Sequence, residues 1–295
     1  MEKKKISFSA QGKRADIGDI TIFRILPNRY ADAVGPFVFL DHIAPVLHAE
    51  DKELVNEGTG AHPHRGIATL TYILQGEGEH FDSRGNHAKV FSGGAQWMKA
   101  GNGIIHDETF KVDSQTADRM THGFQFWINL PSHIKAEPPE YLPIPAADVP
   151  KHILDGDRGW LKVIVGEYEN AKSMIPNYSK QFLFHIHLEN GKRFSLTTEK
   201  DLEYAVFLPE HDVVINDTTF KSGEFIEFGR EEGIIEINNP SDSAIDILLF
   251  GGEKYTEPIV AHGPFVMNSE TEIAEAFRDY HTGKYGEIKN TTNKK

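Results

Sequence analysis

The chain contains no cysteine. Disulfides, cysteine-ligated zinc, iron–sulfur clusters and cysteine nucleophiles are therefore excluded. Positive charge is scarce: 31 lysines and arginines face 44 aspartates and glutamates, a net charge of −13. A field of that sign repels phosphate backbones and anionic lipid surfaces, so no direct nucleic-acid or membrane binding is expected. Long apolar runs are also missing. The charged start Met1-Glu2-Lys3-Lys4-Lys5 is followed by no apolar stretch of the signal-peptide kind, and nothing reads as a spanning helix. A cytoplasmic location is the default expectation. No glycine-rich phosphate loop joins a strand to a helix, and there is no Gly-x-Ser-x-Gly elbow. Helical periodicity is absent from residues 1–130.

What the first half does contain is strand texture. Residues 5–26, 36–40, 67–75, 96–100 and 122–130 read as strands, rich in β-branched and aromatic types or alternating in polarity. Ser83-Arg84-Gly85-Asn86 and Gly93-Gly94 mark turns, and residues 44–60 form a polar loop. Strands with turns roughly every 8–12 residues predict an all-β sandwich or barrel. Six prolines then fall between Pro131 and Pro150, a density that opposes both helix and inner strand. This divides the 295 residues into an N-terminal domain over 1–135, a proline-rich linker over 136–158 and a C-terminal domain over 159–295. Strands recur in the second half at 160–165, 182–188, 203–208, 212–216, 225–228, 234–237 and 245–250, so an internal duplication is plausible. A helix opens after Asn268, with Ser269 and Glu272 spaced as a capping box, an apolar stripe at Ile273, Ala276, Phe277 and Tyr280, and Gly283 as its stop. Asn290–Lys295 reads as a frayed polar tail.

Two pairs of candidate metal ligands organise the first half. In a strand, residues i and i+2 point to one face. His62 and His64 would therefore aim together, and so would His106 and Glu108, which follow the turn Gly101-Asn102-Gly103. If the strands between them fold back, three imidazoles and one carboxylate meet. That set suits iron, manganese, cobalt, nickel, copper or zinc, and a six-coordinate ion would keep two positions open for reactants. Gln125 and Trp127 share one strand face and could line the same cavity, although a lone Trp is more often core. A second His-x-His, His185 and His187, has no later His-x-Glu to join it, since residues 217–252 lack histidine. Two strand-face histidines are the better reading there.

The run His62-Pro-His-Arg-Gly66, Thr71-Tyr72, Gly76-Glu77, Asp82-Ser83, Gly85-Asn86, Gln96-Trp97-Met98, Ala100-Gly101 and Gly103-Ile-Ile-His106 resembles the pirin family of the cupin superfamily. Gly123–Pro131 and Gly263-Pro-Phe-Val-Met-Asn268 resemble it too. The resemblance implies an all-β protein of two stacked cupin-type β-sandwich or barrel domains with a short C-terminal helix, and metal only in the first. It implies iron(II) on His62, His64, His106 and Glu108. It also implies a dioxygenase that cleaves quercetin-type flavonols with loss of carbon monoxide, with Glu108 taking the substrate proton. The alternative it carries is an iron-binding regulatory protein that acts through protein partners. Pirins generally resemble compact monomers. Two positions depart from the family pattern. Ala68 stands where an acidic residue is common, which implies a changed cavity. Asp107 replaces a small residue between the last two ligands, and its side chain should point away from the metal.

Overall fold

A computed structural model of the protein describes residues 1–17, 20–49 and 58–289. The polar tail 290–295 and residues 50–57 of the expected 44–60 loop lie outside the described residues. The chain packs into two compact units that interleave in sequence. One comprises Met1–Arg14, Phe23–His42 and Val149–Tyr255; the other comprises Ala15–Ile22, Ile43–Asp148 and Thr256–Lys295.

One strand layout occurs twice. A seven-stranded sheet runs in the order 140–144, 95–99, 67–75, 120–129, 37–47, 20–26, 13–17, and a four-stranded sheet runs 62–64, 104–111, 77–82, 87–91. The second copy has a seven-stranded sheet ordered 6–11, 224–228, 202–207, 245–253, 181–188, 159–165, 151–154, and a four-stranded sheet ordered 193–197, 234–238, 213–215, 218–220. Matched position by position, these are duplicates, and the sheets are open sandwiches, not closed barrels. The sequence signal for the duplication is weak because strands 193–197 and 218–220 are short and largely polar.

The segment read as a proline-rich linker, 136–158, carries two strands, and a short helix precedes it. Ser132–Lys135 is a short helix, Glu140–Ile144 pairs with Ala95–Lys99, and Lys151–Leu154 pairs with Gly159–Val165. Both strands sit at the edge of a seven-stranded sheet, where Pro143 in the first of them is tolerated without an N–H. The expected boundaries also differ from the packing in two ways. Strand Ile6–Gln11 pairs with Glu224–Phe228, far along the chain. The C-terminal helix, Glu270–His281, belongs to the unit that carries the paired histidines. Its start is as read: Ser269 accepts the Glu272 N–H at 3.2 Å, and the Glu272 carboxylate accepts the Asn268 N–H at 2.8 Å. The helix packs Ile273 and Ala276 on Phe265 and Met267.

This C-terminal segment locks the His62–Gly66 stretch. The Val266 N–H donates to the Arg65 carbonyl at 3.1 Å, and Arg65 Nη1 lies 3.0 Å from Asp279 Oδ2. Gly66 has φ +83°, and a Cβ built there would stand 2.0 Å from the Val266 oxygen. Gly66→Ala is therefore expected to lose at least about 1–3 kcal/mol from backbone strain alone, with the clash added. Gly85→Ala, at φ +90° with nothing within 4 Å, should lose only the strain. Urea unfolding midpoints of the two variants give the comparison.

Candidate metal centre

The site lies in the four-stranded sheet 62–64, 104–111, 77–82, 87–91. Antiparallel pairing sets His106 opposite His62 on one side and opposite Asp82 on the other, with Glu108 opposite His80. Alternation then turns His62, His64, His106 and Glu108 inward, as the i, i+2 spacing predicts. The ring centroids of His62 and His106 are 4.4 Å apart, those of His62 and His64 4.9 Å, and those of His64 and His106 5.0 Å. Two overlapping groups result. His62, His64 and His106 form one; His80, His106 and Glu108 form the other, each with its ligand atoms within 4.8 Å of one another.

Backbone carbonyls fix the tautomers of two rings. A carbonyl can only accept, so His62 Nδ1–H donates to Gly60 O at 2.7 Å and His64 Nδ1–H to Pro264 O at 3.0 Å. Both Nε2 atoms therefore present lone pairs. His106 Nε2 stands 3.0 Å from His62 Nε2, while His106 Nδ1 is buried with no hydrogen-bond partner. A proton on Nε2 leaves Nδ1 an orphan acceptor; a proton on Nδ1 leaves two lone pairs facing each other. A cation among the three Nε2 atoms relieves the facing lone pairs, so this donor set fits a transition metal. Burial, reinforced by His62, pushes His64 down to about 3, and burial, reinforced by His64, His62 and His80, holds His106 well below its usual value. Both rings stay neutral at physiological pH, as ligands must.

Glu108 is 9% exposed. Its Oε1 accepts from Thr71 Oγ1 at 3.0 Å and its Oε2 from Gln125 Nε2 at 2.9 Å. Oε2 lies 4.0 Å from His106 Nδ1. Trp127, on the same strand face as Gln125, sets its ring edge-on to His64 at 4.9 Å. The cavity role considered for this pair thus places both residues beside the candidate ligands.

Three contributors were not visible in the sequence. His80 is 1% exposed, bonds Asp82 Oδ2 at 3.1 Å and stacks on Tyr141 at 4.1 Å, 6° from parallel. Tyr141 comes from the proline-rich strand and donates to Gln96 Oε1 at 2.6 Å. The Pro264 carbonyl arrives from the C-terminal segment. Only knowledge of the 77–82 with 104–111 pairing would have exposed His80, since Glu79-His80-Phe81-Asp82 reads as an ordinary strand.

The two departures resolve differently. Thr71 reaches Glu108, so Ala68, three residues earlier on the same strand, faces the opposite way; it stands across from Lys99 and Ile128. The expected change to the cavity is thus not made by Ala68. Asp107 does turn away, and its Oδ1 accepts from Thr59 Oγ1 at 3.5 Å. In the second copy, His185 and His187 both donate to Asp246 Oδ1, at 2.8 and 2.9 Å, and Trp160 stacks on His187 at 4.9 Å.

A twice-repeated pair of open sheets, with a candidate metal-binding cluster of histidines and a carboxylate in the first copy, defines a two-domain cupin protein. The chain belongs to the pirin family: the Pirin model matches residues 20–128, and the Pirin C-terminal cupin domain matches residues 183–286. A Pseudomonas aeruginosa protein named "putative quercetin 2,3-dioxygenase" is 31% identical over 285 residues, covering 96% of this chain and 98% of its own. Pirin-1 of Arabidopsis thaliana is 32% identical over 245 residues, covering 82% of this chain and 83% of its own. The crystal structure of a quercetin 2,3-dioxygenase from Acinetobacter baumannii has a TM-score of 0.88 at 33% identity, over 97% of this chain and all of that one.

Groups that hold a metal ligand in place typically contribute 10- to 100-fold to metal affinity. Thr71→Val and Gln125→Leu, which each remove one donor to Glu108, are expected to weaken zinc binding by roughly 10-fold or more while leaving the fold intact. Competition against a chromogenic chelator measures this, with circular dichroism as the fold control.

Proposed function

We propose that the protein is a metal-dependent dioxygenase that cleaves quercetin-type flavonols. The flavonol and one dioxygen give the depside and one carbon monoxide, which balances every atom. The observation that carries the reading is the Glu108 carboxylate, buried beside His80 and His106 and held on both oxygens by neutral donors, with His62 and His64 clustered on the same His106. It is supported by the named activities of the Pseudomonas and Acinetobacter relatives. His62, His64, His106 and Glu108 are the residues we assign to the metal, iron(II) in this reading. When bound, the metal supplies a Lewis-acidic centre with open positions for the flavonol oxygen and dioxygen.

The chain's own residues do the rest. Glu108 accepts the proton of the flavonol 3-hydroxyl as general base, and Gln125 and Thr71 keep its oxygens aimed. Gly60 and Pro264 carbonyls hold the His62 and His64 rings by their far nitrogens. The Trp127 ring offers an aromatic wall beside His64 for a planar substrate.

The experiment is headspace carbon monoxide from quercetin with iron(II)-loaded protein, run beside His62→Ala and Glu108→Gln. The expected result is release by the parent, none above background for His62→Ala, and a fall of about 100-fold or more for Glu108→Gln. No release from protein shown to hold one iron per chain would move the assignment to the regulatory, partner-binding role.

A further inference from the structure

The duplicated strand order matches 193–197 with 62–64, and 234–238 with 104–111. In the first copy those two strands carry the candidate ligands. In the second, Phe194 pairs with Ile237 and Leu196 with Ile235. Phe194, Ile235 and Ile237 are at most 2% exposed, and none of the four can hold a metal. Apolar packing thus occupies the ligand positions. Space nevertheless remains beside Leu196, in a cavity of about 520 Å³. That falls within the range of roughly 300–1,000 Å³ typical of small-molecule sites.

The cavity is lined by rings that offer both faces and edges. Phe182 and Phe184 lie 5.3 Å apart at 28°, Phe182 and Tyr204 lie 5.0 Å apart, and Tyr168 meets Phe184 at 5.6 Å and 72°. Such offset and edge-on contacts are those an inserted aromatic ring would also use.

Its charges are already matched. Lys172 pairs with Glu167 at 3.7 Å, and Lys180 pairs with Glu199. The remaining rim carboxylate, Glu169, lies 3.4 Å from His152. No lining lysine is left over to meet an anion, and the lining carries three carboxylates against two ammoniums. Two neutral groups, by contrast, have capacity to spare. Gln181 is 4% exposed and gives its amide nitrogen to Asn177 Oδ1 at 3.3 Å, while its carbonyl oxygen accepts nothing from the described residues. The Tyr168 hydroxyl also has no hydrogen-bond partner among them, and burial raises its pKa, so it remains a donor. The lining therefore pairs aromatic surface with one free acceptor and one free donor.

We propose that this cavity is a second, metal-free binding site for a neutral, planar, hydroxylated aromatic molecule. Its ring sits among Phe182, Phe184 and Tyr204, and its hydroxyl meets Gln181 and Tyr168. The inference rests on the second copy alone and does not depend on the chemistry proposed for the metal centre.

Equilibrium dialysis of the full-length, metal-loaded protein against 2-naphthol tests it. Leu196→Trp, which fills the cavity, is expected to bind one fewer molecule per chain than the parent; a metal-centre contribution would be common to both. Tyr168→Phe, a change of one hydroxyl that keeps the ring, should retain the stoichiometry and weaken this site about fivefold. The anionic 2-naphthoate should bind it at least tenfold more weakly than 2-naphthol. Absence of saturable binding would overturn the site, as would equal stoichiometry and affinity in the parent, Leu196→Trp and Tyr168→Phe. Equal affinity for 2-naphthoate would overturn the ligand class.

Discussion

The histidine cluster depends on one hydrogen bond between residues 200 apart, from His64 Nδ1 to the carbonyl of Pro264. That bond sets the tautomer of His64 and aims its other nitrogen inward. Several contacts hold the carbonyl where it is. Val266 donates to the Arg65 backbone, Arg65 pairs with Asp279 on the terminal helix, and Lys135 Nζ donates to Asn129 Oδ1 and Val266 O at 2.8 Å each. Burial pushes the Lys135 ammonium down to about 8, so these bonds offset a real cost of keeping it there. The close approach of Val266 to Gly66 leaves no room for a side chain. The last part of the chain is thus structural support for a site whose candidate ligands all lie between residues 62 and 108.

The two copies of the fold divide the physical tasks. Strands 193–197 and 234–238 place Phe194, Leu196, Ile235 and Ile237 where the matching strands of the first copy place imidazoles and a carboxylate. Burying apolar side chains there is favourable by roughly 1.5–3 kcal/mol each, whereas buried imidazoles and a carboxylate are costly unless satisfied. Copy two therefore packs a continuous apolar core through Phe184, Ile186, Val206, Leu249 and their neighbours. Copy one keeps imidazoles and a carboxylate there and partners His62, His64 and Glu108 through Gly60, Pro264, Thr71 and Gln125, leaving His106 Nδ1 without a hydrogen bond.

The candidate site was legible in the sequence because strand geometry maps i, i+2 spacing directly onto one face. His62 with His64, and His106 with Glu108, needed only that rule. Gln125 and Trp127 were reachable by the same alternation. His80 and Tyr141 were not, because their positions depend on which strands become neighbours, and pairing partners leave no periodic mark. The same reason hid the strand exchange between Ile6–Gln11 and Glu224–Phe228. The proline-rich stretch misled through a rule applied one step too far. Proline excludes inner strands, but Glu140–Ile144 is an edge strand with a single neighbour.

The electrostatics of Glu108 bear most directly on what the site can do. Thr71 and Gln125, its hydrogen-bond donors, are neutral, and among the described residues no lysine or arginine pairs with it. A cationic partner would have cancelled the carboxylate and left little attraction for a metal. Neutral donors orient it and leave its charge in place. Three neutral imidazoles and one carboxylate carry a single negative charge, so a divalent ion held among them, as proposed above, would leave the centre with one net positive charge. In a buried, low-dielectric site a charge of that sign favours the ionised over the neutral form of a bound hydroxyl. On the proposed assignment, the donors to Glu108 would serve both to hold a cation and to ease loss of a proton from a bound hydroxyl.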